Sequence, residues 1–170
     1  MSIRNKRLEN DYRALQELCA FHEPAKIRLL ETQETPPDFY RIEISNCKGI
    51  QVVSDYVVQY RTEHILTISD FPSNYPDPGY LPTLKMETPI FHPHIYYNGS
   101  IDLYLDCRQF TQPLDTLVRI VISMIQYKNL KFGLPANIQA RDWVNKNKHL
   151  FPLSSSSDGS NPSQPKLHWK

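Results

Sequence analysis

Cysteine is scarce in this sequence: three residues in 170, Cys19, Cys47 and Cys107, and no CxxC pair. An odd, widely spaced set excludes a disulfide framework and a cysteine-rich structural zinc site, and it fits a reducing compartment. An excess of either charge is missing as well. Nineteen lysines and arginines face eighteen acidic residues, and no run of charged residues exceeds two. That balance argues against a dedicated nucleic-acid binder, which needs a clustered basic footprint. No eighteen apolar residues run together, so nothing reads as a membrane span. The opening MSIRNKRLENDYR is charged where a signal peptide carries its hydrophobic centre. A soluble, cytoplasmic protein is the expectation.

What is present suffices for one core. Hydrophobic residues make up 40% of the chain, enough for a single domain of this length. Leu8, Tyr12, Leu15 and Cys19 recur at helical spacing and predict an amphipathic helix over 5–20, stopped by Pro24. Three β-rich runs follow, KIRLLET (26–32), FYRIEIS (39–45) and YVVQYRTEHILTIS (56–69), separated by ETPPD and NCKG turn chemistry. FPSNYPDPGYLP (71–82) holds too much proline for a sheet interior, and TLKMET (83–88) reads as a short strand. Leu114, Leu117, Val118, Val121, Ile122 and Ile125 predict a strongly amphipathic helix with Asp115 near its start. A last helix is expected from about Pro135 to His149, with Ile138, Ala140, Trp143 and Val144 as its apolar positions. The Ser/Pro-rich 153–170 cannot bury a core and reads as a flexible tail behind a domain at 1–152. The order predicts an α+β fold: an N-terminal helix, about four antiparallel strands in a meander, an irregular site-bearing segment, then two or more C-terminal helices.

HPHIYYNGSIDLYLDC, from His92 to Cys107, concentrates the candidate chemistry. Asn98-Gly99 reads as a tight turn, since both residues tolerate positive φ. Tyr96, Tyr97, Tyr104 and Phe110 could wall a groove or merely pack beside it. His92, His94, Asp102, Asp106 and Cys107 include zinc-type ligands. An HxH followed eight residues later by an aspartate matches no strong metal spacing, however, so neither metal nor cofactor is expected. Asp102 with Asp106 could pass for an acid/base dyad, but nothing else in the chain supports a hydrolase pocket.

With these motifs in this order, the chain resembles the ubiquitin-conjugating enzymes, the UBC fold, over roughly residues 5–152. Phe71-Pro72-Ser73-Asn74-Tyr75-Pro76 matches the family's FPxxYP. His92-Pro93-His94 is similar to its His-Pro-Asn, and Gly99-Ser100-Ile101-Asp102-Leu103 to its Gly-x-Ile-Cys-Leu. Phe110 falls on the aromatic that follows the family's cysteine. The variant HPH and the ending ARDWVNKNKHLFP resemble bacterial members found in ubiquitin-like conjugation and anti-phage operons, including those that modify a cyclic-nucleotide synthase. The resemblance implies a ubiquitin-like protein, or a partner with a ubiquitin-like C-terminal tail, and an activating enzyme as partners. It implies that Arg4, Lys6 and Arg7 at the start of the first helix meet that enzyme; a solvated helix face is the other reading.

The departures decide the chemistry. The family's cysteine nucleophile is replaced by Asp102, and its asparagine by His94. A carboxylate nucleophile would give a mixed anhydride that water hydrolyses, and its charge would repel the developing oxyanion. Position 102 as written therefore forms no thioester. His94 could supply an N–H to an oxyanion or could shape the loop through hydrogen bonds. His92 and Pro93 are expected to hold the turn. Cys107, five residues on, is either a displaced nucleophile or a small loop residue, and the register of Gly99, Ile101, Leu103 and Phe110 favours the second. Cys19 and Cys47 read as packing residues. Three functions stay open: a conjugating enzyme with its nucleophile replaced, a noncovalent binding pseudoenzyme, and an enzyme working through Cys107.

Overall fold

In the second strand, apolar residues at alternate positions all point one way: Tyr40, Ile42 and Ile44 are fully buried while their neighbours stay half-exposed. The computed structural model describes residues 1–21, 24–55, 57–103, 111–128, 130 and 134–152. Of the residues named above, Tyr104, Asp106, Cys107, Phe110 and the expected tail (153–170) lie outside the described residues. The elements are α1 (Ile3–Ala20), β1 (Lys26–Gln33), β2 (Phe39–Ser45), β3 (Gly49–Ser54), β4 (Val57–Arg61), β5 (His64–Ser69), β6 (Thr83–Met86), α2 (Leu114–Ile125) and α3 (Ile138–Lys146). A 3₁₀ turn at Lys148–Leu150 follows α3.

Four strands form one antiparallel sheet in the order β1-β2-β5-β6. Tyr40, Ile42 and Ile44 of β2, Leu66 and Ile68 of β5, and Leu84 and Met86 of β6 share its inner face. Against them lie Leu8, Leu15 and Leu18 of α1 and Leu114, Leu117, Val118, Val121 and Ile125 of α2. Each such side chain contributes about 1.5–3 kcal/mol by leaving water. The outer face carries paired charges instead: Arg28 with Glu43, and Arg41 with Glu87, which also accepts from Thr67.

The expected strand 56–69 is two strands, because the chain turns at Thr62-Glu63. Its first half pairs with β3, a strand absent from the sequence reading, in a separate hairpin. That hairpin and α3 share a smaller core of Ile50, Tyr127 and Val144, with Val53, Phe91, Trp143 and Phe151 packed around it. The last helix is shorter than expected. It begins after Asn137, whose side chain accepts the Ala140 N–H at 3.0 Å, so asparagine rather than Pro135 caps it. Ile138, expected on its apolar side, is exposed. On α1 the buried stripe is Leu8, Asp11, Leu15 and Leu18, while Tyr12 and Cys19 are only half-buried. The helix burying a carboxylate is the largest departure from the expected pattern.

His64 joins the hairpin region to the main core. It is fully buried, with Nε2 2.7 Å from the Cys47 carbonyl, and burial holds its pKa down to about 4. Gly49 makes room for it: a Cβ there would stand 2.7 Å from Ile125 Cγ2 and 3.2 Å from His64 Cε1. A histidine whose folded pKa lies below its unfolded value stabilises the fold above about pH 6.5 and loses that contribution as pH falls towards the folded value. Across that window the loss amounts to about 3 kcal/mol. Urea unfolding of the chain and of His64→Gln at pH 7.5 and 4.5 checks this. The stability difference between the two proteins should narrow by about 2–3 kcal/mol at the lower pH, and an unchanged difference would mean that His64 does not titrate in that window.

Candidate functional site

His92-Pro93-His94 is pinned from several sides. The His94 N–H donates to His92 Nδ1 at 3.0 Å, and the Ile95 N–H donates to the His92 carbonyl at 3.1 Å. An Nδ1 that accepts leaves the ring proton on Nε2. Nε2 is buried without a hydrogen-bond partner among the described residues, and the His92 ring meets Tyr127 edge-on, 4.6 Å between centroids. Burial, reinforced by His94, holds the His92 pKa well below the usual histidine range, so the ring is neutral. A fully buried neutral imidazole whose Nδ1 is spent on the adjacent backbone frames the turn.

The rest of the scaffold grips the backbone on either side. The Asn137 N–H donates to the Pro93 carbonyl at 3.1 Å, so the residue that caps α3 also fixes the turn. The Tyr127 hydroxyl donates to the Phe91 carbonyl, and the Phe91 N–H donates to the Ile50 carbonyl of β3 at 2.8 Å. Burial pushes the Tyr127 phenol far up, keeping it a donor. Tyr127 holds this place from a left-handed backbone, φ 59°, a conformation that costs a non-glycine residue energy. Neither Asn137 nor Tyr127 was singled out by the sequence. Asn137 could have been, as a capping residue three before Ala140; Tyr127 carried no signal, since one tyrosine past a helix looks like any other.

His94 is buried, its ring stacked on His92 at 5.3 Å and 24°. Its carbonyl accepts the Asp102 N–H at 2.8 Å. His94 and Asp102 are thus joined by one backbone bond. Between them the chain makes a small hairpin. Gly99 N–H donates to Tyr96 O and Tyr96 N–H to Ser100 O, both at 2.9 Å, and Ser100 N–H donates to Asn98 Oδ1 at 2.9 Å. Met86 N–H donates to Gly99 O at 2.9 Å and Ile101 N–H to Leu84 O at 3.0 Å, so the hairpin is stapled to β6. Asp102 emerges half-buried at its end, flanked by Ile101 and Leu103, which both pack on the main core.

Tyr96 and Tyr97 are exposed. With Asn98 and Gly99 they line one side of an open groove of about 390 Å³, whose other side includes Gln51, Val52 and Val53 of β3. Among the described residues His92, His94 and Asp102 do not line that groove. The tyrosines and the pair His94–Asp102 therefore do not line the same groove.

The basic residues of α1 divide. Lys6 is exposed. Arg4 pairs with Asp38 at 3.2 Å, and Arg7 turns inward to Asp11 at 2.9 Å. Asp11 also accepts from the Tyr75 hydroxyl and from the Leu114 N–H that opens α2. Burial pushes the Asp11 carboxyl up, against the pull of Tyr75 and Arg7. The Arg7-to-Asp11 spacing of one turn was visible in the sequence, but a charged pair there reads as solvated until Tyr75 is placed beside it.

Of the thiols, Cys47 is fully buried and pushed up to about 12 by burial; Cys19 is half-buried and raised for the same reason. Neither has the depressed pKa of a reactive thiolate. Among the described residues no three His, Cys, Asp or Glu side chains are grouped so as to hold a metal ion, and no helix is long and apolar enough to cross a membrane.

No family model and no curated protein sequence matches this chain. A solved structure does: a provisionally assigned ubiquitin conjugating enzyme from Trypanosoma cruzi, 18% identical, with a TM-score of 0.60. The match covers 87% of this chain and 94% of that one. The likeness establishes a UBC-like α+β fold: N-terminal helix, four-stranded antiparallel sheet, then helices.

Proposed function

We propose that this chain is a ubiquitin-conjugating-enzyme-like protein whose acyl-carrying position is occupied by Asp102. The observation that carries the reading is the bond from Asp102 N–H to His94 O, which joins the counterparts of the family's cysteine and asparagine at the end of a stapled hairpin. The UBC-like fold supports it. In a thiol-bearing form, the sulfur at 102 would attack the thioester carbonyl of an activated ubiquitin-like protein. One C–S bond forms as the donor's C–S bond breaks, and the thiol proton leaves with the departing sulfur. An amine would then displace the sulfur in turn. With Asp102 in place this transfer stops before it starts. The partners on this reading are an activating enzyme and a ubiquitin-like protein or a ubiquitin-like tail; the bacterial conjugation and anti-phage setting, with a cyclic-nucleotide synthase as target, is its narrower form.

The second reading, a noncovalent binding pseudoenzyme, is favoured by the aspartate itself, because a site without its thiol retains only binding. Ubiquitin carried as a C-terminal thioester of a small thiol tests both. The native chain, Asp102→Cys and Cys107→Ala are each incubated with it and resolved with and without reducing agent. A reductant-sensitive adduct is expected on Asp102→Cys alone. An adduct on the native chain that disappears in Cys107→Ala would make Cys107 the nucleophile and overturn the assignment of position 102. Saturable binding without any adduct supports the pseudoenzyme, and neither adduct nor binding removes both readings for ubiquitin.

A further inference from the structure

Arg7 reaches three separate parts of the chain at once. Its Nε–H donates to both Asp11 oxygens, at 2.9 and 3.0 Å. Nη1 donates to the Thr111 carbonyl at 3.1 Å and Nη2 to the Gln112 carbonyl. The guanidinium lies over the Tyr75 ring, 5.4 Å from its centroid. Asp11 in turn accepts the Leu114 N–H at 3.0 Å. One ion pair, with its carboxylate buried and its arginine partly exposed, therefore holds the carbonyls of Thr111 and Gln112 and the first amide of α2.

That segment follows Asp102 in the chain and leads into α2. Leu114, Leu117 and Val118 belong to the same core as Ile95, and Ile101 and Leu103 pack on that core on either side of Asp102. We propose that Arg7 is a positioning residue for the site. By holding Thr111–Leu114 it sets how α2 seats, and through the shared core it fixes where position 102 stands. The bonds leave from three different nitrogens of one planar group, a spread that the single nitrogen of an ammonium does not reproduce. The chemical readout of this proposal rests on the reading of position 102 as acyl-carrying, but its structural readout does not.

The test is run in the Asp102→Cys chain with Arg7→Gln, Arg7→Lys and the control Arg13→Gln, each checked by thermal melting to be folded. The rate of thioester formation is followed against the concentration of ubiquitin thioester, and hydrogen exchange is followed at the amides of α2. Arg7→Gln should lower the maximal rate about tenfold or more, since a small displacement of a reacting group costs that much, with the half-saturating concentration moved less than about twofold. Exchange at residues 114–118 should quicken while Leu15 and Leu18 keep their protection, Arg7→Lys should fall short of full rescue, and Arg13→Gln, at an exposed position of α1, should leave the maximal rate unchanged. A raised half-saturating concentration at unchanged maximal rate would overturn the proposal and make Arg7 a contact to the donor. Unchanged rates and exchange would overturn it as well. If Asp102→Cys forms no thioester, the proposed function fails, and exchange alone decides on Arg7: faster at 114–118 supports it, unchanged refutes it.

Discussion

Asp11→Ala should lower the free energy of unfolding by about 3–5 kcal/mol, because it removes the buried carboxylate that pairs with the partly exposed Arg7 and leaves two buried donors without their acceptor. The carboxylate is wholly buried, and its loss strips acceptors from Arg7, the Tyr75 hydroxyl and the Leu114 N–H together. Against a net stability of about 5–15 kcal/mol for a domain, that is a large fraction. Arg7→Ala added to Asp11→Ala should cost much less than the two single changes summed, since the second removes a charge already stranded. Urea unfolding of the four proteins in that cycle measures the coupling. Additive costs would show that Arg7 and Asp11 act independently, contrary to the geometry.

Gly99→Ala is expected to be nearly as damaging, for steric reasons. Gly99 has φ 88°, and a Cβ there would stand 2.2 Å from the Met86 carbonyl oxygen, a backbone atom of β6 that cannot swing aside. The left-handed backbone costs a side chain about 1–2 kcal/mol, and forced overpacking about 1–3 kcal/mol more. Gly79 supplies the control. Its φ is 91°, but nothing lies within 4 Å of its added Cβ, so Gly79→Ala should cost only the backbone part. Relief of the clash at Gly99 would break the Met86 N–H to Gly99 O bond that staples the hairpin ahead of Asp102. Thermal melting should therefore rank Gly99→Ala well below Gly79→Ala, and equal melting temperatures would refute the assigned contact.

The contrast between these positions shows what a single sequence discloses. Asn98-Gly99 announced a turn, and the alternation of Tyr40, Ile42 and Ile44 announced a strand with one buried face; both properties are local and periodic. The helix spacing of Leu114 to Ile125 was equally legible, and all six named positions are buried. Asp11 was not legible, because its burial depends on Tyr75 and Leu114, far along the chain. The division of 56–69 into β4 and β5 was also hidden. A run rich in β-branched and aromatic residues looks continuous until its first half is claimed by β3, a short strand whose Ile50, Val52 and Val53 follow directly on a turn. At the site, the turn residues His92, Pro93, Asn98 and Gly99 were found by their motifs, whereas Asn137 and Tyr127, which hold the turn from a distance, had no motif to give them away.

The two cores have a consequence for how the site can come apart. Position 102 is tied to β6 and the larger core, while the Phe91–Pro93 backbone is tied to Tyr127, Asn137 and Ile50, around the smaller one. The seam between the two cores runs through the bond from Asp102 to His94. A partial opening that releases β3, β4 and α3 but spares the four-stranded sheet would uncouple Phe91–Pro93 from Asp102 while most of the protein stays native, so the rigidity of this stretch would follow the smaller core and not the stability of the whole.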